Sequence, residues 1–513
     1  MVADLENIFK PFGTVIVDPS VHELLDVQFK RHTSVIDLKK VDDNDITIPE
    51  SLSFHTAPLA HQRRALSLCL RNPSFGLLME MGTGKTKVIL DLLGYYKETL
   101  EVNPALVVCP VSVMDNWSAE VQKHQPAIRC MVLSGTREER LKLLATGIQQ
   151  GYHLFVINYE SAWRLEDELA RVNWGVMVLD ESTRIKHRSS QQAKGIMRIA
   201  KRVKRKYIMS GTPMPNSPLE LFNQIRFLDE RVFGSNFYVF RDRYAILGGY
   251  QGYQIIGWKN LEELAKKLNG ITYRVLKKDC LDLPDKVYKV YKLTMPDKFK
   301  KVYDQFAEEM VAEIAGTTIM ATVVLAKLTK LRQLTSGFVY DENRNAILID
   351  EQLKLKQLEE ILDEISGRHK VVIWTSFRHE MDIVCKMLDS KKLKWVKIDG
   401  TVPQDQRQAA IRSYQEDDNV RVFVGQQHAG GLGITLTAGD YCIFFSNDYS
   451  PEIRLQCEDR LHRIGQKNTV TYIDLIIKGT IDVSIMRMLR KKQDLSEYIN
   501  TINLQEIMYG SDD

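Results

Sequence analysis

The sequence predicts an α/β fold built as two doubly wound parallel-sheet lobes, and three observations lead there. Short β-branched runs closed by small or acidic residues recur along the chain. Helical patterns long enough to serve as crossovers separate them, and both features appear in each half. In the first half the runs are Phe75 to Met79, Ala105 to Cys109, Leu154 to Asn158, Val176 to Leu179 and Tyr207 to Met209. In the second they are Val371 to Thr375, Val396 to Ile398, Val420 to Val424, Tyr441 to Phe445 and Thr471 to Ile476. Between the halves, from about Leu219 to Asp350, tyrosines, lysines and amphipathic helical patterns replace the buried runs. Leu283-Pro284-Asp285 reads as the join, because Pro284 lacks a backbone donor and biases Leu283 away from helix. Residues 1–55 form a small N-terminal segment of mixed character. The expected division is therefore 1–55, 56–284 and 285–513.

Composition narrows the class. At roughly 100 to 200 residues per domain, 513 residues leave room for several domains with sizeable cores. A hydrophobic share of 44% with 27% charged residues excludes a long disordered protein. Seventy Lys and Arg against 66 Asp and Glu give a net charge of +4, too even for a protein that merely coats nucleic acid, so any basic surface is local. The seven cysteines include no two at metal-ligand spacing, which points to a reducing compartment and no structural zinc. The acidic start, Met-Val-Ala-Asp-Leu-Glu, is unlike a secretory signal. The longest uncharged apolar stretch, Ile314 to Ala326, falls short of the roughly 18 residues a membrane span needs, so an intracellular protein without a membrane span is expected.

The chemistry begins at Phe75-Gly-Leu-Leu-Met-Glu-Met-Gly-Thr-Gly-Lys-Thr86, a strand running into a glycine-rich turn and then into the helical pattern Lys87 to Leu93. That is the context of a phosphate-binding loop. Gly82 and Gly84, with Thr83 between them, let backbone N–H groups curl around phosphate, Lys85 brings positive charge to the β and γ groups, and Thr86 offers a hydroxyl to magnesium. Met79 stands where the strict pattern has a further glycine. A second acidic site is needed to hold the metal and orient water, and Val176-Met-Val-Leu-Asp-Glu181 supplies it 95 residues after Lys85. Asp180 is the expected magnesium ligand and Glu181 the residue that polarises the attacking water. Hydrolysis also wants a cation that arrives in a closed state. In Gln456-Cys-Glu-Asp-Arg-Leu-His-Arg-Ile-Gly-Gln466, a helix would show Gln456, Arg460 and Arg463 on one face before Gly465 ends it. The basic run Arg198 to Lys206 reads equally as a phosphate-tracking patch or as a solvated helix feeding the next strand.

Taken in order, these motifs resemble those of the Swi/Snf-type ATPases, superfamily-two DNA translocases with two RecA-like lobes. The resemblance runs from about residue 56 to 490. It adds Val107 to Trp117, Val156 to Glu160, Met209 to Asn216, Val371 to Phe377, Ile398 to Gly400 and Gly430 to Asp440. It implies ATP and Mg2+ as cofactors, a helical protrusion near 295–345 between the lobes, and double-stranded DNA, branched forms included, as partner. It also implies residue roles. Gln62 would read the adenine edge, Gly433 would border the nucleotide, and Ser210 and Thr212 would couple phosphate state to lobe closure. Ser112, Asn116, Trp117, Ser376, Thr401 and Thr435 would touch the DNA backbone. The acidic box here continues as Ser182-Thr183 and the second-lobe motif reads Gly433-Ile-Thr435, both departures from the common pattern. With no bromodomain-like, chromodomain-like or zinc-binding extension recognised, a compact motor of bacterial or phage type, cytoplasmic and DNA-associated, is expected. A strand-separating helicase on DNA or RNA and an ATP-controlled clamp are the alternative readings.

Overall fold

The computed structural model describes residues 33–42, 45–99, 104–214, 217–249, 252, 254–315, 321–349, 352–430 and 433–491, without the side chains of 310–315, 321–325, 404–405 and 429–430. The chain divides into two compact units, Met1–Cys280 and Leu281–Asp513.

The first unit is organised by a seven-stranded sheet of β1 (Ser74–Met79), β2 (Ala105–Cys109), β3 (Cys130–Val132), β4 (Leu154–Asn158), β5 (Val176–Asp180) and β6 (Arg205–Met209). After a separate antiparallel hairpin, β7 (Ala245–Gly248) and β8 (Gln254–Trp258), it is completed by β9 (Thr272–Val275). The order is β3-β4-β2-β5-β6-β1-β9 and every pairing is parallel. Parallel strands need crossovers that cover both faces, and β2 and β4 are accordingly buried throughout. One consequence decides where chemistry collects: the loops after β1, β2, β5 and β6 all leave the same edge. Residues from the N-terminal segment complete the core on one face, where Val35, Leu38 and Leu52 pack with Leu66, Val88 and Leu92. The Arg64 guanidinium fixes that segment through the carbonyls of Leu38, Lys39 and Val41.

The second unit carries β10 (Lys286–Leu293), a small hairpin of β11 (Phe338–Tyr340) and β12 (Ala346–Leu348), and then β13 (Val371–Thr375), β14 (Lys394–Ile398), β15 (Val420–Gln426), β16 (Tyr441–Phe444) and β17 (Val470–Ile477). Its six-stranded sheet has the order β10-β17-β16-β13-β15-β14, again all parallel. Two helices, Asp297–Ala315 and Ala321–Thr335, lie between β10 and β11. Their apolar residues Phe299, Tyr303, Leu328 and Leu331 share a core with Ile477 and Ile481.

Two details depart from the sequence reading. Strands β7 to β12 all fall in the stretch expected to be helical; in β10 the Lys-Val-Tyr-Lys-Val-Tyr-Lys-Leu sequence lacks a buried run because the strand sits at the sheet edge. The basic run after Arg198 passes from the end of a helix, Gln191–Ala200, through a turn at 201–204 that exposes Lys201, Arg202 and Lys204, into β6, with Arg198 paired to Glu166 and Lys206 over the Phe227 ring. It feeds the next strand. The seven cysteines are unbridged, and among the described residues no helix is long and apolar enough to cross a membrane.

Candidate active site

The turn between β1 and the helix Lys85–Thr99 is shaped by Gly82 and Gly84, at φ +78° and +87°, a region closed to most side chains. Gly84 has a second reason to be glycine, since a Cβ there would collide with the Gln62 amide. Gln62 belongs to the helix Ala60–Arg71, and its side chain spans two tasks: Oε1 accepts the Leu59 backbone N–H at 3.0 Å and Nε2 donates to the Thr83 carbonyl, also at 3.0 Å. His61 Nε2 meets the same carbonyl at 2.9 Å. In this state the amide expected to read adenine holds the loop. Lys85 is buried, its ammonium donating to the Met79 and Glu80 carbonyls at 2.8 and 3.2 Å. Thr86 follows at the same helix N-terminus, half-exposed.

Asp180 ends β5 on this same sheet edge. Trp117 Nε1 donates to its Oδ2 at 3.1 Å, and the Tyr159 hydroxyl donates to its backbone carbonyl at 3.0 Å. Desolvation lifts the carboxyl above its ordinary value, against the charge of Lys85, the Trp117 hydrogen bond and the Glu181 N–H. A partly dehydrated carboxylate facing a lysine and a glycine turn is a donor set suited to magnesium and phosphate, since that metal takes one or two protein oxygens and completes its shell with water and phosphate. Thr86 supplies the neighbouring hydroxyl. Glu181 has φ +52°, a left-handed conformation that costs on the order of 1–3 kcal/mol in a non-glycine residue and recurs at functional sites.

The Ser210 to Thr212 segment leaves β6 beside the glycine turn. Ser210 is fully buried, its Oγ accepts the Thr212 N–H at 3.2 Å, and the Thr212 hydroxyl has no partner among the described residues. A Cβ on Gly211 would stand 2.9 Å from Met81 Cγ, so absence of a side chain there lets the segment lie against the loop. Pro215 and Asn216 of that motif lie outside the described residues, as do Gly431 and Leu432 of the second-unit motif.

Trp117 corrects the sequence reading. Expected to touch DNA, it is 1% exposed, packed in the first-unit core with its polar atom on Asp180. Its partners in that expectation, Ser112 and Asn116, are half-buried, and the Ser112 hydroxyl has no partner among the described residues.

In the second unit the structure gathers the arginines differently from the helix the spacing suggests. The helix Pro451–Glu458 stops before Arg460, and residues 459–465 form successive turns. The Gln466 amide accounts for the early stop: it donates to the carbonyls of Leu461 and Gly439, a closure that a continued helix would prevent. Arg460 and Arg463 nevertheless converge, each with Nη1 on the Ile434 carbonyl, at 3.4 and 3.2 Å. That brings Gly433 (φ +78°) and Thr435 to the arginine segment. Gln456 is buried, its carbonyl accepting Arg460 Nε at 2.9 Å and its amide donating to Glu452 at 3.3 Å. Ser376 is half-buried with its N–H on Glu380 at 2.9 Å, and the exposed Thr401 turns its hydroxyl back to Asp399 at 2.6 Å.

Sequence reasoning missed the scaffold behind these groups. Arg454 is buried between Asp474, Glu458 and Asn447, with its guanidinium 3.5 Å from the Phe444 ring centroid. Glu380, fully buried, accepts from Ser336, Ser446, Ser376 and Phe377. Charged residues embedded in apolar runs were the only signal.

Comparison with known proteins now bears on the site. Residues 61–337, more than half of the chain, match the SNF2-related domain, and residues 353–465 match the Helicase conserved C-terminal domain. The chain belongs to the Swi2/Snf2 family of helicase-like ATPases. The two matched regions enclose Gln62, Lys85 and Asp180 in the first and Gly433, Arg460 and Arg463 in the second. Swi2/Snf2 relatives include the Nuclear protein STH1/NPS1 of Saccharomyces cerevisiae, 28% identical over 441 residues, covering 81% of this chain and 32% of that protein. The Chromodomain-helicase-DNA-binding protein 1-like of Mus musculus is 29% identical, covering 82% of this chain and 47% of its own. The SWI/SNF-related matrix-associated actin-dependent regulator of chromatin subfamily A-like protein 1 homolog of Caenorhabditis elegans is 30% identical over 421 residues, covering 81% and 58%. The chain thus spans a third to three fifths of the length of these relatives. Among solved structures, the Sulfolobus solfataricus SWI2/SNF2 ATPase core in complex with dsDNA is similar at a TM-score of 0.43 and 23% identity, covering 90% of this chain and 98% of that one.

Proposed function

We propose that this chain hydrolyses ATP to move along double-stranded DNA, remodelling protein–DNA complexes or branched DNA. The observation that carries the reading is the placement of Lys85 and Asp180 on one sheet edge, beside a glycine turn, in a chain that also matches the helicase C-terminal domain. Gly82, Thr83, Gly84 and Lys85 cradle the phosphates, and Gln62 and Gly433 border the nucleotide. Thr86 and Asp180 hold a magnesium ion, which supplies charge neutralisation at the phosphates. Glu181 orients the attacking water, and Arg460 and Arg463, with Gln456 behind them, stabilise charge on the transferred phosphoryl group. Ser210 and Thr212 relay the phosphate state.

Neutral hydroxyl and amide groups at Ser112, Asn116, Ser376, Thr401 and Thr435 suit contact with the DNA backbone without sequence readout. One relative is named as a DNA-binding helicase, which favours DNA over RNA. In the same reading residues 1–55 are accessory, 56–284 bind ATP, and 285–513 form the second lobe, with the protrusion near 295–345. The relatives named above are eukaryotic and lend no support to a bacterial or phage setting.

Triplex displacement tests the movement. With ATP the chain is expected to expel a third strand from duplex DNA without separating the duplex. Release of single strands instead identifies a strand-separating helicase, and ATP turnover without expulsion identifies a clamp.

A further inference from the structure

The stretch of chain that joins the two units is hydrogen-bonded, at each end, to a segment carrying the proposed catalytic groups. Within the first unit Glu80 is the meeting point. Its carboxylate accepts the Lys277 backbone N–H at 2.6 Å, and its own N–H donates to the Val275 carbonyl at 2.9 Å. Its carbonyl accepts from the Thr83 hydroxyl at 2.7 Å and from the Lys85 ammonium at 3.2 Å. Within the second unit His462 Nε2 lies 2.8 Å from the Pro284 carbonyl, so that nitrogen carries the proton and donates. Lys286 Nζ and the Tyr288 hydroxyl both donate to Glu458, at 3.1 and 2.8 Å. His462 stands between Arg460 and Arg463, and Glu458 stands two places before Arg460.

We infer that residues 277–288 are a strap coupling the phosphate loop to the arginine segment, with Glu80 and His462 as positioning residues at its ends. The inference rests on the ATP-driven reading above. Its physical basis is competition for one ammonium group. Lys85 spends two donors on the Met79 and Glu80 carbonyls, and phosphate oxygens compete for those same donors. The residue whose carbonyl then loses Lys85 is the one whose carboxylate grips Lys277. From there the chain runs to Pro284 over seven residues, a span of at most about 25 Å when fully extended. Pro284 further restricts it by fixing its own φ. A short, stiff connection anchored at both ends transmits a shift that a slack one absorbs.

The test uses the full chain and compares ATP consumed with third strand displaced. Glu80→Ala removes the acceptor for Lys277, whereas Glu80→Gln keeps an amide oxygen there. His462→Phe removes the donor to Pro284, whereas His462→Gln keeps one. Inserting Gly-Ser after Leu281 leaves both contacts and adds slack. Glu80→Ala, His462→Phe and the insertion are expected to raise ATP consumed per strand displaced about tenfold, with both Gln variants within about twofold of the parent. The Glu80→Ala/His462→Phe pair is expected to be no worse than the poorer single variant, because either change cuts the same strap. Unchanged ATP cost in the Ala, Phe and insertion variants, Gln variants as impaired as these, or additive losses in the pair would each overturn the strap. A parent chain whose ATP turnover ignores duplex DNA counts against the functional reading instead.

Discussion

The indole N–H of Trp117 points at Oδ2 of Asp180 from 3.1 Å, and each residue explains the other. Burying an indole leaves its donor in need of a partner, and a desolvated carboxylate needs donors to stay ionised. Trp117→Phe keeps most of the packing and removes that donor. The Asp180 carboxyl, already raised by burial, then rises further. The proposed role of Asp180 needs it ionised, so activity is expected to fall as pH drops through its value. The acidic limb of the kcat/KM profile is expected above the ordinary carboxylate range in the parent, and at still higher pH in Trp117→Phe. A limb that does not move separates Trp117 from the site.

In the proposed reading Lys85→Ala removes the group that meets phosphate, together with the charge that offsets the burial of Asp180. Turnover is expected to fall by at least about 10²-fold, the scale for losing one preorganised charge-stabilising donor. Glu181→Gln is expected to abolish turnover while leaving nucleotide affinity near that of the parent, since the proposed role of Glu181 is to orient the attacking water. Equilibrium binding of a fluorescent nucleotide, set beside steady-state rates, separates the two roles.

Gly84→Ala faces two costs at once, a φ of +87° and a collision with Gln62. A loss of about 1–3 kcal/mol in stability is expected from the backbone alone. Displacing Gln62 also leaves the Thr83 carbonyl to His61 alone, which loosens the turn, so nucleotide affinity falls as well. Calorimetry with and without nucleotide reads both. A stable variant that binds normally contradicts this role for the turn.

Arg454 and Asp474 form a buried ion pair in the second unit. Breaking such a pair from one side strands a charge and costs about 3–5 kcal/mol. Arg454→Met is expected to lower the unfolding temperature of that unit. Burial by itself pushes the neighbouring Glu458 carboxyl up, but Arg454 and Lys286 outweigh it and hold it below its ordinary value. A depressed carboxyl stabilises the fold above its unfolded pKa and loses that contribution as pH falls through the folded one. Acid titration of the second unit's unfolding is expected to show this loss in the parent and a smaller one in Arg454→Met.

Much of this was legible in the residues themselves. The buried strands declared their runs, and β2, β4 and β13 begin and end where those runs do. The edge strands β3 and β10 did not: β10 mixes lysine with valine and tyrosine because one side of it meets solvent, and β3 is only three residues long. Lys85 and Asp180 were readable because phosphate chemistry constrains residue type and spacing together. Trp117 was misplaced because a motif says which residues recur, not which way a side chain turns. The arginine segment was misread as helix for a related reason: Gln466 closes back on Leu461 and Gly439 through contacts that periodicity does not encode.

Steady-state ATP turnover with duplex, forked and single-stranded DNA and with RNA, measured side by side across a salt series, tests the duplex-motor reading most directly. Duplex DNA is expected to raise turnover above the basal rate at low salt, independently of sequence, and to lose its effect steeply as salt rises. Turnover that stays at the basal rate with duplex DNA at every salt concentration contradicts it.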